Sequence, residues 1–223
     1  MSMNNEEREI SILYEDSDTL IIDKPSGFLS EYAVGVPSVV NALLLHGKDG
    51  FLAPITRLDR EVSGVMLLAK NKKSAAYYTA EMANRASFRK EYLAVIEGVM
   101  PEREGELQDL LFKDSSKNKS FVVTRMRRGV KEASLSYTVL CEREMAGKRF
   151  SLVRVLLHTG RTHQIRVQFS SRRHPLAGDR KYGGDVGFPM GLLSERLTLR
   201  LTTGKRAVFL SQGTACEPFC FFL

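Results

Sequence analysis

Residues 57–70 read RLDREVSGVMLLAK, and they contain a clear strand pattern next to a dense group of charges. Charged side chains dominate its first half, where Asp59 stands between Arg57 and Arg60. Its second half contains GVMLLA at 64–69, a continuous apolar run of strand length. Short apolar runs bounded by turn signals are typical of β-strands. The stretch therefore predicts a strand with a charged segment at its entrance.

Further strand patterns lie on both sides of this run. Residues 11–23 (SILYEDSDTLIID) read as two strands joined by an Asp-Ser-Asp turn, and the Lys-Pro-Ser-Gly sequence at 24–27 then breaks the pattern. We expect additional strands at 92–96, 134–140 and 150–157, and a hairpin formed by 197–202 and 207–210. The polar residues 113–119 (KDSSKNK) are expected to form a mobile loop.

Helical patterns are interspersed among the strands without a regular βαβ rhythm. They lie at 39–45, at 73–85 and at 162–171, where Thr162 is a candidate N-cap. This order of elements predicts an α+β fold, with a mostly antiparallel mixed sheet and flanking helices. We expect one domain over residues 1–223, with residues 1–10 as a flexible N-terminus.

The composition bears on three questions: whether the chain enters a membrane, whether it has disulfides and whether it binds a metal. No apolar run approaches the roughly 20 residues that span a bilayer, and the polar N-terminus does not resemble a signal peptide. The odd number of cysteines (Cys141, Cys216 and Cys220) excludes a fully paired disulfide framework. We therefore expect reduced thiols, a cytoplasmic location and no membrane partner. No second Cys or His pair lies near Cys216 and Cys220 at metal spacing, so no metal is expected.

The formal net charge is +7, and the basic residues are clustered. Excess positive charge suits a polyanionic partner, although many basic proteins only have solvated basic surfaces. The three clusters are Arg85, Arg89 and Lys90; Arg125, Arg127, Arg128 and Lys131; and Arg172, Arg173, Arg180 and Lys181. Clusters in separate parts of one chain favour a long anionic ligand over a single phosphate.

Two segments carry candidate functional groups. Asp59 is flanked by arginines, which keep a carboxylate ionised; the alternative is a surface ion-pair cluster that contributes little. Residues 158–166 (HTGRTHQIR) place a glycine turn and polar donors before a helix start, which favours anions. The alternative there is a capped helix with an exposed basic face. No G-x-S-x-G, P-loop or H-E-x-x-H signature is present in the sequence.

The run RLDREVSG at 57–64, followed by LLAK, resembles the catalytic motif of the RluA-type pseudouridine synthases. Four other segments resemble motifs of the same family in the same order. They are DKPSG at 23–27, KEYLA at 90–94, GRTHQIR at 160–166 and HPLAGDRKYG at 174–183. The chain resembles a stand-alone catalytic domain with no preceding S4-type RNA-binding domain.

The resemblance implies that the protein isomerises uridine in ribosomal or transfer RNA without a cofactor. Asp59 matches the essential aspartate, which either attacks C1′ or removes a sugar proton; both routes stay open. By the same resemblance, Arg166 would pair with Asp59, and Tyr92 would stack on the uracil and assist removal of its C5 proton. The target uridine would be flipped out of its helix or loop, with Arg57 filling the gap.

The predicted RNA contacts combine the motifs with the basic residues. The set is Lys24, Arg57, Arg60, Arg125, Arg127, Arg128, Arg161 and His163. Structured RNA is the expected partner, and we expect a monomer without an obligate protein partner. The sequence departs from the frequent family residues at Thr56, Val62 and Gln168, and has Ser30 and Glu31 where a histidine often follows the Lys-Pro-x-Gly segment. These departures concern the choice of target site.

Two other functions compete with this interpretation. One is a non-catalytic RNA-binding module, which would have no need to keep Asp59, Tyr92 and Arg166 together. The other is a glycosidase or nucleosidase, which normally needs a second carboxylate as general acid. Glu61 is the only acid within two positions of Asp59, and its flanking arginines explain it as an ion-pair partner.

Overall fold

The computed structural model describes residues 10–48, 50–145 and 147–222. The chain divides into two compact units. The first contains the described residues as far as Lys90 together with Leu193–Gly213, and the second contains Glu91–Leu192 and the residues from Thr214 onward. The single domain over residues 1–223 stays a prediction. Of the predicted flexible N-terminus, residues 1–9 lie outside the described residues, whereas Ile10 is buried.

The structure confirms the predicted α+β class with mostly antiparallel strand pairing. The strands are β1 (Ser11–Glu15), β2 (Thr19–Lys24), β3 (Ala53–Pro54), β4 (Ser63–Ala69), β5 (Arg89–Glu97), β6 (Glu104–Asp114), β7 (Lys119–Val123), β8 (Val130–Met145), β9 (Lys148–Leu157), β10 (Leu192–Arg200) and β11 (Arg206–Leu210). The α-helices are α1 (Val39–Leu45), α2 (Lys72–Glu81) and α3 (Gln164–Ser170). No described helix has the length and apolar character needed to cross a membrane.

The first unit is built around β4, the apolar run of the opening stretch. β4 pairs antiparallel with β2 along its length and with β3 at its end, and its first residues pair parallel with β10. β1 extends the sheet from β2, and β11 extends it from β10. Side chains of both faces of β4 are buried, and Tyr78 of α2 packs in the core with Leu67 and Leu197. A strand covered on both faces is apolar at consecutive positions, which explains the unbroken run.

Helices α1 and α2 begin where polar side chains can cap them. The Ser38 hydroxyl accepts a hydrogen bond from the Asn41 amide at the start of α1. Asn71 and Ser74 form a reciprocal capping box at the start of α2. α1 matches the predicted helix at 39–45, whereas α2 ends four residues before the predicted boundary.

The second unit contains an antiparallel sheet in the order β5-β9-β8-β6-β7. The prediction of a loop at 113–119 is wrong at both ends, because β6 continues to Asp114 and β7 begins at Lys119. The Asp114 carboxylate accepts hydrogen bonds from the backbone amides of Ser116 and Lys117. This side chain closes a short turn, so the polar residues belong to a hairpin.

Helix α3 is shorter than predicted, and its cap differs. It begins at Gln164, and the N-cap position is occupied by His163 in the left-handed conformation (φ 53°) without a side-chain cap. The Gln164 side-chain oxygen accepts hydrogen bonds from the Thr159 hydroxyl and the Arg161 amide. Gln164, the first residue of α3, therefore closes the turn at 159–161 with its own side chain. The prediction of Thr162 as N-cap is wrong, because His163 occupies that position.

Gly64 is required where β4 meets β10. Its φ is +116°, and a Cβ at this position would lie 2.7 Å from the Ser194 nitrogen and closer still to the Ser194 carbonyl oxygen. We expect Gly64→Ala to lower the free energy of unfolding by more than about 3 kcal/mol, because it adds a backbone collision to an unfavourable φ. Denaturant unfolding of the purified variant measures this loss.

Gly204→Ala is the matched control. Gly204 also has a positive φ (+84°) in the first unit, but a Cβ there would meet no atom within 4 Å. We expect a loss of about 1 kcal/mol from backbone strain alone. Equal losses in the two variants would show that the close approach of Ser194 does not matter.

Candidate active site

The backbone around Asp59 is held by the segment that follows β2. The Gly27 amide donates to the Arg60 carbonyl oxygen at 2.7 Å, and the Ser26 hydroxyl donates to the Glu61 carbonyl oxygen at 2.8 Å. The Arg60 Nε in turn donates to the Gly27 carbonyl oxygen at 3.0 Å. Hydrogen bonds in both directions join the Lys-Pro-Ser-Gly segment to the residues directly after Asp59.

Ser30 fixes the residue directly before Asp59. Its buried hydroxyl accepts a hydrogen bond from the Leu58 amide at 2.9 Å and donates to the Leu58 carbonyl oxygen at 2.8 Å. The Val62 amide closes the turn by donating to the Asp59 carbonyl oxygen at 3.1 Å. The peptide groups on both sides of Asp59 are therefore fixed, which positions its carboxylate on a rigid loop. Ser30 was not among the predicted site residues, and in the sequence it stands out only as a departure from the frequent family residue.

Lys24 is buried under the same loop, with 0% of its surface exposed. Its ammonium group donates to the carbonyl oxygens of Pro25, Phe28 and Arg60 at 3.0, 2.8 and 3.2 Å. Burial lowers the pKa of Lys24 to about 7, and the negative charge of Asp59 opposes this shift. The predicted contact of Lys24 with RNA is not retained, because its ammonium group faces backbone carbonyls and is shielded from solvent.

Two other residues of this segment differ in accessibility. Arg57 is exposed and forms a 2.9 Å ion pair with Glu31, a surface pair that adds little stability. Thr56 is buried, and its hydroxyl accepts a hydrogen bond from the Leu67 amide of β4 at 2.9 Å. Thr56, which departs from the frequent family residue, therefore stabilises β4 through its side chain. Arg57 and Arg60 both lie at the surface.

In the second unit, Arg166 of α3 is held by the carboxylate of Asp179, which was not among the predicted site residues. The Arg166 Nε and Nη2 donate to the two carboxylate oxygens of Asp179, both at 2.7 Å. The side chains of Arg166 and Asp179 are 3% and 0% exposed. Their pairing is a fully desolvated, two-pronged ion pair. Asp179 lies in the HPLAGDRKYG stretch at 174–183, which resembles a motif of the family. An acidic residue inside that motif is the sequence feature from which its importance could have been predicted.

Tyr182 connects this pair to His163. The Arg166 Cζ lies 5.3 Å from the centre of the Tyr182 ring. The Tyr182 hydroxyl is 2.9 Å from His163 Nδ1 and accepts a hydrogen bond from the Ser120 amide at 2.8 Å. The predicted RNA contact His163 is therefore tied to the hydrogen-bond network around Arg166.

The remaining predicted residues occupy other positions in the second unit. Tyr92 lies on β5 opposite Val155 of β9 and is buried. Arg161 donates through Nε to the Glu132 carbonyl oxygen at 2.9 Å. Arg125, Arg127 and Arg128 are all exposed between β7 and β8, and Arg127 lies over the Phe112 ring. Among the described residues, no group of acidic, histidine and cysteine side chains is suited to hold a metal ion.

Asp59 belongs to the first unit, whereas Tyr92 and Arg166 belong to the second. The predicted ion pair between Asp59 and Arg166 therefore stays a prediction. Within its own unit, each group is supported by neighbours that fix its geometry. Asp59 stands on a loop held by residues 24–30, and Arg166 is held by Asp179.

Sequence similarity to known proteins shows to which family the chain belongs. Residues 18–171 match the family described as RNA pseudouridylate synthase. The chain belongs to this family. That membership confirms the resemblance to RluA-type pseudouridine synthases that the five ordered motifs indicated.

Curated relatives and solved structures agree with this assignment. An uncharacterised RNA pseudouridine synthase of Aquifex aeolicus is 37% identical over 183 residues, covering 78% of this chain and 56% of the relative. Ribosomal large subunit pseudouridine synthase C of Buchnera aphidicola is 35% identical, covering 77% of this chain and 54% of the relative. The chain thus spans little more than half the length of these relatives.

The fold is shared with human RNA pseudouridylate synthase domain containing 1. The TM-score is 0.78 at 23% sequence identity, and the alignment covers 98% of this chain and 89% of the human chain. The human domain containing 4 gives a TM-score of 0.73 at 24% identity, over 94% of this chain and 90% of the human chain.

The buried Lys24 predicts a pH-dependent stability. Its pKa of about 7 in the folded state lies below the ordinary value of about 10.4, so the unfolded state binds more protons between these values. The stability contributed at this site therefore rises as pH increases from 7 towards 10. We expect the free energy of unfolding of the wild type, minus that of Lys24→Met, to increase between pH 7 and pH 9.5.

Lys72→Met is the control, because Lys72 is an exposed lysine of α2. The difference between wild type and this variant should stay constant over the same pH range. Urea unfolding at each pH gives both differences. A constant difference for Lys24→Met would show that Lys24 keeps its proton in the folded protein.

Proposed function

We propose that the protein is an RNA pseudouridine synthase that isomerises uridine in ribosomal or transfer RNA, with Asp59 as the catalytic carboxylate. The observation that carries the proposal is the fixed loop around Asp59, in which residues 24–30 hold the backbone on both sides of the carboxylate. The family membership supplies the reaction class. Relatives named ribosomal large subunit pseudouridine synthase C and D favour ribosomal RNA as substrate.

The reaction breaks the N1–C1′ bond of uridine and joins the uracil to C1′ through C5. An ionised Asp59 attacks C1′ or removes a sugar proton, and both routes need a carboxylate of fixed orientation. In this proposal Arg166 pairs with Asp59 and orients its carboxylate. Tyr92 stacks on the uracil and assists departure of the C5 proton.

The exposed arginines between β7 and β8 support an RNA partner. Arg125, Arg127 and Arg128 lie within a run of exposed residues at 124–129. Exposed guanidinium groups contact phosphates without desolvation of a buried charge, and the release of condensed counterions then drives binding. Arg57, Arg60, Arg161 and His163 complete the proposed contact set. We further propose that the protein acts in the cytoplasm, as a monomer and without a cofactor.

The first test of the proposed function is Asp59→Asn. An amide neither attacks C1′ nor removes a sugar proton, so we expect the rate of pseudouridine formation to fall by about 10³-fold or more. RNA affinity should stay within about threefold, which separates a catalyst from an RNA-binding module. RNA from cells lacking the gene is incubated with each purified protein. Carbodiimide mapping then measures the pseudouridine that has formed.

Glu61→Gln is the control for this test. It removes an exposed acid two positions from Asp59 and leaves the Ser26 bond to the Glu61 backbone in place. Its rate should equal that of the wild type. Comparable turnover by Asp59→Asn and wild type would exclude Asp59 as the catalytic group.

A second test concerns the exposed arginines. Replacing Arg125, Arg127 and Arg128 together by glutamine should reduce the slope of log K against log salt by about two to three, since each phosphate contact contributes about 0.7–0.9. Filter binding to ribosomal RNA over a range of salt concentrations measures the slope.

The matched control changes the net charge equally at exposed lysines of the first unit. Lys72, Lys73 and Lys205 are all exposed, and their replacement by glutamine should leave the slope nearly unchanged. If both triple variants lower the slope equally, net charge and not a local contact determines the salt dependence.

A further inference from the structure

Asp179 has the geometry of a group that orients a cation. We propose that Asp179 is a positioning residue for the isomerisation, because it fixes the plane and direction of the Arg166 guanidinium. The inference rests on the proposed function, in which Arg166 acts on the catalytic carboxylate. It adds a residue that acts through Arg166 and does not itself contact the substrate.

The hydrogen bonds between the two side chains set the orientation of the guanidinium. Arg166 Nε donates to Asp179 Oδ2, and Arg166 Nη2 donates to Asp179 Oδ1. Two parallel bonds at 2.7 Å make the guanidinium and carboxylate coplanar and prevent rotation about the last side-chain bonds of the arginine. Because Asp179 engages the Nε and Nη2 edge of the five-donor fork, the Nη1 donors lie on the other side of the guanidinium group.

Asp179 is itself held in a tightly wound loop. Its amide donates to the Leu176 carbonyl oxygen at 3.1 Å, and its carbonyl oxygen accepts from the Gly184 amide at 2.9 Å. A Cβ on Gly184 would lie 2.9 Å from the Asp179 nitrogen, and a Cβ on Gly178 would lie 2.6 Å from the Phe188 carbonyl oxygen. The loop thus leaves no space for a side chain at Gly178 or Gly184, and this close backbone packing restricts the position of the Asp179 carboxylate.

Tyr182 provides a second restraint on the same group. Its amide donates to Asp179 Oδ1 at 3.2 Å, and its ring lies near the Arg166 guanidinium. The ring is anchored at its far end by the Ser120 amide, which donates to the phenolic oxygen. An aromatic ring near the guanidinium favours a defined orientation as well as the positive charge.

The energetics favour positioning over simple stabilisation. A fully buried ion pair gains little net stability, because the desolvation of both charges offsets their attraction. Another ion pair, between Arg172 and Asp109, provides a contrast. Arg172 and Asp109 are 33% and 10% exposed, so their pair keeps contact with solvent. Complete burial of the Arg166–Asp179 pair is therefore poorly explained by stability and well explained by a need for fixed geometry.

The test uses the full chain and three variants. Asp179→Asn removes the charge, Asp179→Glu keeps the charge but displaces the carboxylate by one methylene, and Asp109→Asn is the matched control. The rate constant is measured in single turnovers at saturating protein, and the RNA dissociation constant is measured separately. A lower folded fraction changes the protein concentration needed for saturation but not the saturated rate constant, so a merely structural role would leave that constant unchanged.

We expect the saturated rate constant to fall about 100-fold in Asp179→Asn and about 10-fold in Asp179→Glu, as displacement of a catalytic group by about 1 Å predicts. RNA affinity should stay within about threefold in both, and Asp109→Asn should have the wild-type rate. Circular dichroism establishes folding at the assay temperature. If Asp179→Asn does not fold, Asp179→Glu decides, because it retains the buried charge balance.

A folded Asp179→Glu with a rate constant within threefold of the wild type overturns the inference, as does an equal loss in Asp109→Asn. These results differ from failure of the proposed function. If the wild-type protein forms no pseudouridine, the proposed function fails and the inference fails with it. If the wild type is active and the Asp179 variants are unaffected, only the inference is overturned.

Discussion

The candidate active site depends on the hydrogen bonds that close residues 24–30 over the backbone on both sides of Asp59. β2 and β4 run antiparallel and bring Lys24 opposite Gly64, so the segment after one strand meets the segment before the other. The hydroxyl of Ser30 and the backbone of Gly27 then satisfy peptide groups that a charged loop would otherwise present to solvent. A carboxylate on such a loop has a defined position before any substrate arrives, which is the condition for efficient catalysis by a single group.

Each unit also has a buried cation among its described residues, Lys24 in the first and Arg166 in the second, and the two are stabilised differently. Lys24 donates to three carbonyl oxygens, and its burial away from water lowers its pKa to about 7. Arg166 is paired with a full negative charge on Asp179, through two short hydrogen bonds. The first arrangement joins residues 25, 28 and 60 through the three donors of one ammonium group. The second fixes a permanently charged group in one orientation, which only a planar, multivalent donor allows.

Much of the fold follows from local patterns, and the errors have local causes. The apolar run at 64–69, the turn between β1 and β2, and α1 were predictable because periodicity and turn residues specify them. The hairpin at 113–119 was mistaken for a loop because both strand ends there are polar, and a strand's pairing partner is not visible in its own composition. The cap of α3 was misplaced because Gln164, inside the helix, closes the preceding turn.

The family and the candidate groups Asp59, Tyr92 and Arg166 follow from ordered motifs, and the α+β class follows from the order of strand and helix patterns, so neither required coordinates. The neighbours that hold those groups became visible only in the folded chain. Lys24 was predicted to contact RNA but is buried under the Asp59 loop, and Asp179 received no role but clamps Arg166. The physical reason is that burial and hydrogen-bond partners arise between residues distant in the chain. A lysine or aspartate has the same sequence signature whether it faces water or a buried partner.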